Sequence, residues 1–163
     1  MGRPRLGVFI GAGNLDSMVA HYTAAKRRRS EDFYSPGKRT GCRPDRAAIV
    51  YCNRAREAFG PDVPIILGSL EASLRRFAHY DYWDDSVRRA ILFDAPADLL
   101  VYGMGEAATI EIAHRLKKKQ SVHTMTDIPG TGYITRDPSV CKFDHITLPS
   151  FEDVRDDKRL YAE

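Results

Sequence analysis

The sequence is short of the residues that would settle its class at a glance. Its three cysteines, Cys42, Cys52 and Cys141, are odd in number and follow no C-x-x-C spacing, so neither a disulfide framework nor a zinc knuckle is implied. No apolar run approaches the ~20 residues of a membrane helix, and Met1-Gly2-Arg3-Pro4-Arg5 lacks the apolar stretch of a secretory signal. A cytoplasmic location with no membrane partner is expected. Signatures of the G-x-S-x-G, P-loop and H-E-x-x-H types are missing, as are repeats and low-complexity tracts. Charge of one sign is not in excess either, with 25 Lys and Arg against 22 Asp and Glu. It is unevenly placed, however: residues 1–60 carry 12 − 5 = +7 and residues 61–163 carry 13 − 17 = −4. Such asymmetry marks an end that faces a polyanion, or a face that sits against something acidic.

What remains is an ordinary globular composition, 43% hydrophobic and 29% charged over 163 residues, the length of one domain. Leu6–Ile10, Val63–Gly68 and Leu99–Gly103 are continuous apolar runs that read as buried strands. Between and after them, apolar residues recur at helical spacing. Leu15, Met18, Val19 and Tyr22 predict a helix capped by Asn14 and ending in Lys26–Arg29. Ala48, Cys52, Ala55 and Phe59 predict a second, capped by Asp45, and Ile112, Ala113 and Leu116 a third over 106–118. Residues 31–44 read as loop, 69–95 as mixed and partly helical, and Phe151–Glu163 as a final helix. Buried strands alternating with amphipathic helices predict a three-layer α/β fold on a parallel sheet, and three strong strands make that sheet incomplete.

Two strand-to-helix turns carry paired glycines. Gly11-Ala12-Gly13-Asn14 lacks the third glycine of a dinucleotide fingerprint, whereas Gly103-Met104-Gly105-Glu106-Ala107-Ala108 matches G-x-G-x-x-A in form. Gly103, Gly105 and Glu106 are therefore weak candidates for cofactor binding, weak because Glu106 puts a carboxylate where a pyrophosphate would lie. The densest set of functional side chains is Glu71–Asp85, directly after the second strand and so at the edge where open α/β sheets bind ligands. Asn14, Asp16, Glu71, Arg75, Arg76, His79, Asp81 and Trp83 are the candidates for substrate contact or a domain interface. A hydrogen-bond network joining the arginines to the acids explains the same residues without a ligand. His79, Asp81, Asp84 and Asp85 match no metal-ligand spacing, and His21, His114, His123 and His145 stand alone. The Lys26–Arg29 run reads as a solvated helix end rather than a nucleic-acid site.

The segments AGNLDSMVAHYTAAKRRRS (12–30), YSP with RPDRA (34–36, 43–47), EASLRRFAHYDYWDD (71–85) and LLVYGMGE (99–106) together resemble the YgiQ-type radical SAM proteins over nearly the whole chain. The resemblance implies a Rossmann-like module of the cobalamin-binding type over residues 1–120, with 121–163 a connector leading toward a radical SAM barrel. It further implies a parent enzyme with a [4Fe–4S] cluster, S-adenosylmethionine and a substrate that is not established. The C-x-x-x-C-x-x-C that would hold such a cluster is absent from these residues, so no metal ligand and no catalytic residue is assigned within them. The D-x-H-x-x-G motif is absent too, so cobalamin is not carried over. Ser69 stands where relatives tend to have a glycine. The chain reads as an internal piece lacking its first strands and its barrel, whose partner is the radical SAM domain of the same parent. Two alternatives stand beside this: a free-standing nucleotide- or anion-binding module, and a truncated remnant without a function of its own.

Overall fold

Apolar runs that lack polar interruption become the sheet, because a strand buried on both faces needs hydrophobic side chains at every position. The computed structural model describes residues 2–162. In chain order its elements are β1 (Val8–Gly11), α1 (Ser17–His21), α2 (Ala47–Phe59), β2 (Ile65–Gly68), α3 (Ser69–Leu74), β3 (His79–Asp81), β4 (Ser86–Arg88), β5 (Leu99–Val101), α4 (Glu106–Lys117), β6 (Thr131–Gly132), α5 (Phe151–Asp156) and α6 (Lys158–Ala162). The main sheet has the order β1-β2-β5-β6. Its first three strands are parallel, with Phe9 opposite Ile66 and Ile66 opposite Leu99, whereas β6 runs antiparallel to β5. The expected parallel sheet is thus an open, mostly parallel Rossmann-like one with an antiparallel strand at one edge.

Alternation along each strand divides the interior in two. Ile65, Leu67 and Leu100 point to one face, where Ala47, Ala48, Cys52 and Ala55 of α2 meet Ile91 and Ala95. Ile66, Leu99 and Val101 point to the other, where Ala108, Ile112 and Leu116 of α4 meet Val122, Met125 and Ile128. Both crossovers, β1 to β2 and β2 to β5, step the same way across the sheet. Right-handedness therefore places α2 and residues 91–95 on one side and leaves the other to α4. The second core continues past residue 120, since Val122, Met125 and Ile128 are all buried in it. On the α4 side β1 is bare: Phe9 is 41% exposed, and its strand pairs on one edge only.

Three local expectations give way to tertiary packing. The first helix stops at His21, because Tyr22 is already extended (φ −130, ψ 152). The basic run after it forms a turn closed by a Tyr22–Arg28 bridge, with Lys26 at φ 57. Its cap is Asp16, which accepts from the Met18 and Val19 amides, and not Asn14, which is exposed. Nor does Asp45 cap α2. Arg46 holds that position in a left-handed conformation, freeing the Asp45 carboxylate for other partners. The mixed segment after β2 resolves into α3 and an antiparallel β3–β4 hairpin, His79 opposite Arg88.

The turn from β2 into α3 carries a visible strain. Ser69 has φ 70, a region where a Cβ costs about 1–2 kcal/mol and glycine costs nothing. Its hydroxyl oxygen compensates by accepting from the Ala12 amide at 3.2 Å, tying the β1 turn to the β2 turn. Ser69→Ala should keep the strain and strand the Ala12 N–H, at about 1–3 kcal/mol. Ser69→Gly loses the same bond but relieves the strain, so in urea unfolding it should be the more stable variant by about 1 kcal/mol. The reverse order would refute this account.

Candidate functional site

The carboxyl ends of β1, β2 and β5 open onto one edge, and the chain crowds its charged and aromatic side chains there. At the centre is Glu71, 1% exposed. One carboxylate oxygen accepts from the Ser17 amide and the other from the Ala48 amide, each at 3.1 Å. These are N–H groups of the first turns of α1 and α2, which have no partner within their own helices. Ser17 adds to the junction, its hydroxyl oxygen accepting from the Ala47 amide at 3.1 Å. A buried carboxylate between two positive helix ends is electrostatically well placed. Glu71, expected to contact substrate, thus has both oxygens engaged by buried backbone N–H groups.

Around this centre the remaining candidates form two ion-pair groups. Arg75, at the end of α3, pairs with the nearly buried Asp16, and so joins the hairpin side to the start of α1. Asp81, 9% exposed at its side chain, accepts from Arg46 at 2.8 Å and lies 3.6 Å from Arg88. Burial by itself would raise the Asp81 carboxyl, but the hydrogen bond and charge of Arg46 outweigh it and hold it below the usual carboxylate range. Asp81 also accepts from the Trp83 amide, shaping the hairpin turn. Arg76 joins no acid among the described residues. It donates to the Ser73 carbonyl and lies over the Phe77 and Tyr102 rings.

Trp83 stacks on Tyr22 with ring centroids 4.3 Å apart. Lys26 donates to the Trp83 carbonyl and lies over the Tyr82 and Trp83 rings. The basic run is therefore partly spent on this aromatic cluster. Between α1, the hairpin and α6 these residues enclose a pocket of about 550 Å³, with Asp16, Arg75, His79, Asp81 and Trp83 in its wall. Burial pushes the His79 imidazole below its ordinary value, so it is neutral near pH 7. Asn14, Glu71 and Arg76 lie outside this wall.

Behind the pocket is a network that sequence reading passed over. His21 is buried, with Nδ1 2.7 Å from an Asp45 oxygen and Nε2 facing Asp32 at 3.9 Å. Asp45 also accepts from the Tyr22 hydroxyl. Asp32, 1% exposed, accepts twice from Arg43, at 2.9 and 3.0 Å, as well as from the Ser35 hydroxyl and the Tyr34 amide. The Arg43 hydrogen bonds hold its carboxyl well below the usual range against the opposing effect of burial. The available signal was the R-P-D-R segment (43–46), which supplies three members of the two networks from four consecutive residues.

The glycine turn after β5 has the backbone its residues imply, with Gly103 at φ 67. A Cβ on Gly105 would overlap the Val101 side chain, so glycine lets α4 close on β5. Glu106 opens α4 exposed to solvent, its charge complementing the helix end. With Gly103 and Gly105 it borders a groove of about 600 Å³ over Phe9, Ile66 and Val101. The three thiols are scattered among exposed, buried and partly buried sites, and burial pushes Cys52 up to about 12. Among the described residues no group of three His, Cys, Asp or Glu is placed to hold a metal ion, so these residues do not fit an iron–sulfur cluster. Among them, too, no helix is long and apolar enough to cross a membrane.

The model of a family described as "Radical SAM N-terminal" matches residues 1–163. A UPF0313 protein of Clostridium botulinum (strain 657 / Type Ba4) is 55% identical over 163 residues, all of this chain and 25% of that protein. A UPF0313 protein of Methanocella arvoryzae is 56% identical over the same length, covering 27% of its own chain, and one of Clostridium perfringens (strain SM101 / Type A) 54%, covering 24%. The chain thus spans about a quarter of the length of these curated relatives. No solved structure matches.

Two measurements test the framework. Glu71→Ala strands two buried N–H groups at about 1–3 kcal/mol each, so urea unfolding should show a loss of about 2–6 kcal/mol or no folded state. A loss under about 1 kcal/mol would remove Glu71 from its central role. Asp32 sets an acid limit: its folded carboxyl titrates below the unfolded value of about 3.9. The stabilisation it brings is complete above that value and is lost as pH falls toward the folded one. Urea midpoints taken from about pH 6 to 2 should fall less steeply for Asp32→Asn than for the parent sequence. Parallel curves would contradict the assignment.

Proposed function

The chain belongs to the radical SAM N-terminal family, and from that premise we propose that it is the α/β accessory domain of a longer radical SAM enzyme. In that parent a separate barrel would hold the [4Fe–4S] cluster and S-adenosylmethionine, and this domain would close over one side of the barrel with the carboxyl edge of its sheet. The residues after β6 would lead toward the barrel. The cluster chemistry would belong to thiols outside these 163 residues, since among the described residues no three such side chains come together. What this domain would contribute is a wall of side chains and their positions: Arg75 and Asp81 fixed by ion pairs, Trp83 and the tyrosines around it fixed by stacking and hydrogen bonds.

The observation that carries this reading is where the apolar surface is left uncovered. Leu70, Leu74, Tyr102 and Met104 follow β2 and β5 directly and are all exposed, Met104 to 89%. Several large apolar side chains left exposed at a ligand-binding edge point to a surface meant to be covered. The relatives are about four times as long as this chain, so each has the chain length to cover it within one polypeptide.

Amide hydrogen exchange tests the proposal by comparing the 163-residue chain with a full-length relative. Residues 69–76 and 102–106 should exchange at least about tenfold more slowly in the full-length protein, as expected when an interface closes over them. Equal exchange in both would remove the interface.

A further inference from the structure

We propose that the pocket between α1, the β3–β4 hairpin and α6 binds a small anion that carries a flat aromatic ring, of the class of a nucleoside monophosphate. The inference concerns the pocket of this chain alone and holds whether or not a barrel lies above it.

The ring requirement comes from the walls. Tyr22, Tyr80, Tyr82, Trp83 and Tyr161 all line the pocket. The hydroxyls of the four tyrosines are already in use within the protein: that of Tyr22 donates to Asp45, that of Tyr80 to Asp85 and that of Tyr82 to the Ala24 carbonyl. The Tyr161 hydroxyl accepts from the Tyr80 amide. What these residues offer a ligand is ring surface, and ring surface is best used by another ring. A volume of about 550 Å³ is in the range of small-molecule sites.

The charge requirement comes from what is paired and what is not. The acids in the wall are neutralised, Asp16 by Arg75 and Asp81 by Arg46 and Arg88. Two cations beside them have no carboxylate partner among the described residues. Arg29, in the wall, donates through Nε to the Val19 and Tyr22 carbonyls at 2.9 and 3.1 Å. Its two terminal nitrogens make no hydrogen bond to the described residues, which leaves a planar fork suited to phosphate or carboxylate. Lys26 lies over the Tyr82 and Trp83 rings at the rim. The charges in the wall cancel, Asp16 and Asp81 against Arg29 and Arg75, and Arg46 and Arg88 are shared with Asp84 and Asp94; the open fork of Arg29, with Lys26 at the rim, is what selects an anion. His79 supplies a third element. Its Nδ1 lies 3.1 Å from the Phe77 carbonyl, an acceptor, so Nδ1 carries the proton and donates. Its Nε2 is then a bare acceptor for an amine or hydroxyl of the ligand.

The protein carries its own reporter, because Trp83 is its single tryptophan. Titrations of the 163-residue chain with adenosine 5′-monophosphate, adenosine, phenyl phosphate and inorganic phosphate, read by tryptophan fluorescence, separate ring from charge. Saturable change is expected with both ring-bearing phosphates, at least about tenfold tighter than with adenosine or phosphate alone. Arg29→Gln, which keeps a donor but removes the charge, should weaken the phosphate-bearing ligands about tenfold and leave adenosine unchanged. Adenosine binding as tightly as its monophosphate would overturn the anion requirement. No saturable change with either ring-bearing phosphate up to roughly 10 mM would overturn the site. The wild-type ligand comparison decides the matter even if the variant fails to fold. A negative result leaves the interface test by hydrogen exchange untouched, and the reverse also holds.

Discussion

One buried carboxylate holds the candidate site together. Helices begin with unpaired N–H groups, and this fold brings the starts of two helices to one point beneath the carboxyl edge of the sheet. Water is excluded there, so the groups must find a partner in the protein or cost the fold their desolvation. Glu71 supplies both partners from a third element, α3. The position of α1 sets Asp16 for Arg75, and the position of α2 sets Arg46 for Asp81. The wall of the pocket thus inherits its geometry from a residue that does not line it.

Charge placement follows the same logic. The basic first third of the chain and the acidic remainder suggest an external acidic partner, yet much of the complement is internal. Arg46 pairs with Asp81 and Asp84, and Arg56 with Asp98, joining residues 35 to 42 positions apart. Arg56 also donates to four backbone carbonyls, of Gly60, Pro61, Val63 and Pro96, at the opposite end of the sheet. Net charge by segment therefore reports which parts of the chain fold against each other as well as what the surface presents to others. What stays unpaired after this accounting, Arg29 above all, is the more informative remainder.

The strands and the two long helices were legible because their signals are local: unbroken apolar runs, and Ala48, Cys52 and Ala55 or Ile112 and Leu116 at helical spacing. The placement of Asp16, Arg75, His79, Asp81 and Trp83 in one pocket was also within reach, since strand ends in an open α/β sheet share an edge. The burial of Glu71 was not. Its partners are backbone groups of residues 23 and 54 positions away, and a glutamate in a sequence carries no mark of which amides it will meet. Lys26–Arg29 failed as a helix end for a related reason: the pull of Lys26 toward Tyr82 and Trp83 acts across 57 residues. His21 stands alone in the sequence because both acids beside it come from a loop and its far end, where composition says only that the chain turns. Ser69 is the intermediate case, a departure visible in the sequence whose cost and compensation appear only with the backbone angle.

The sheet also has unequal edges. At one side β6 is two residues long and antiparallel, too short to template a further strand. At the other, β1 offers four residues with Phe9 bare in its middle. Growth of this sheet is therefore directional and self-limiting. A second copy paired to β1 about a two-fold axis consumes the long edge of both chains and, among the described residues, leaves this sheet only the two-residue β6 edges, from which no fibre could extend.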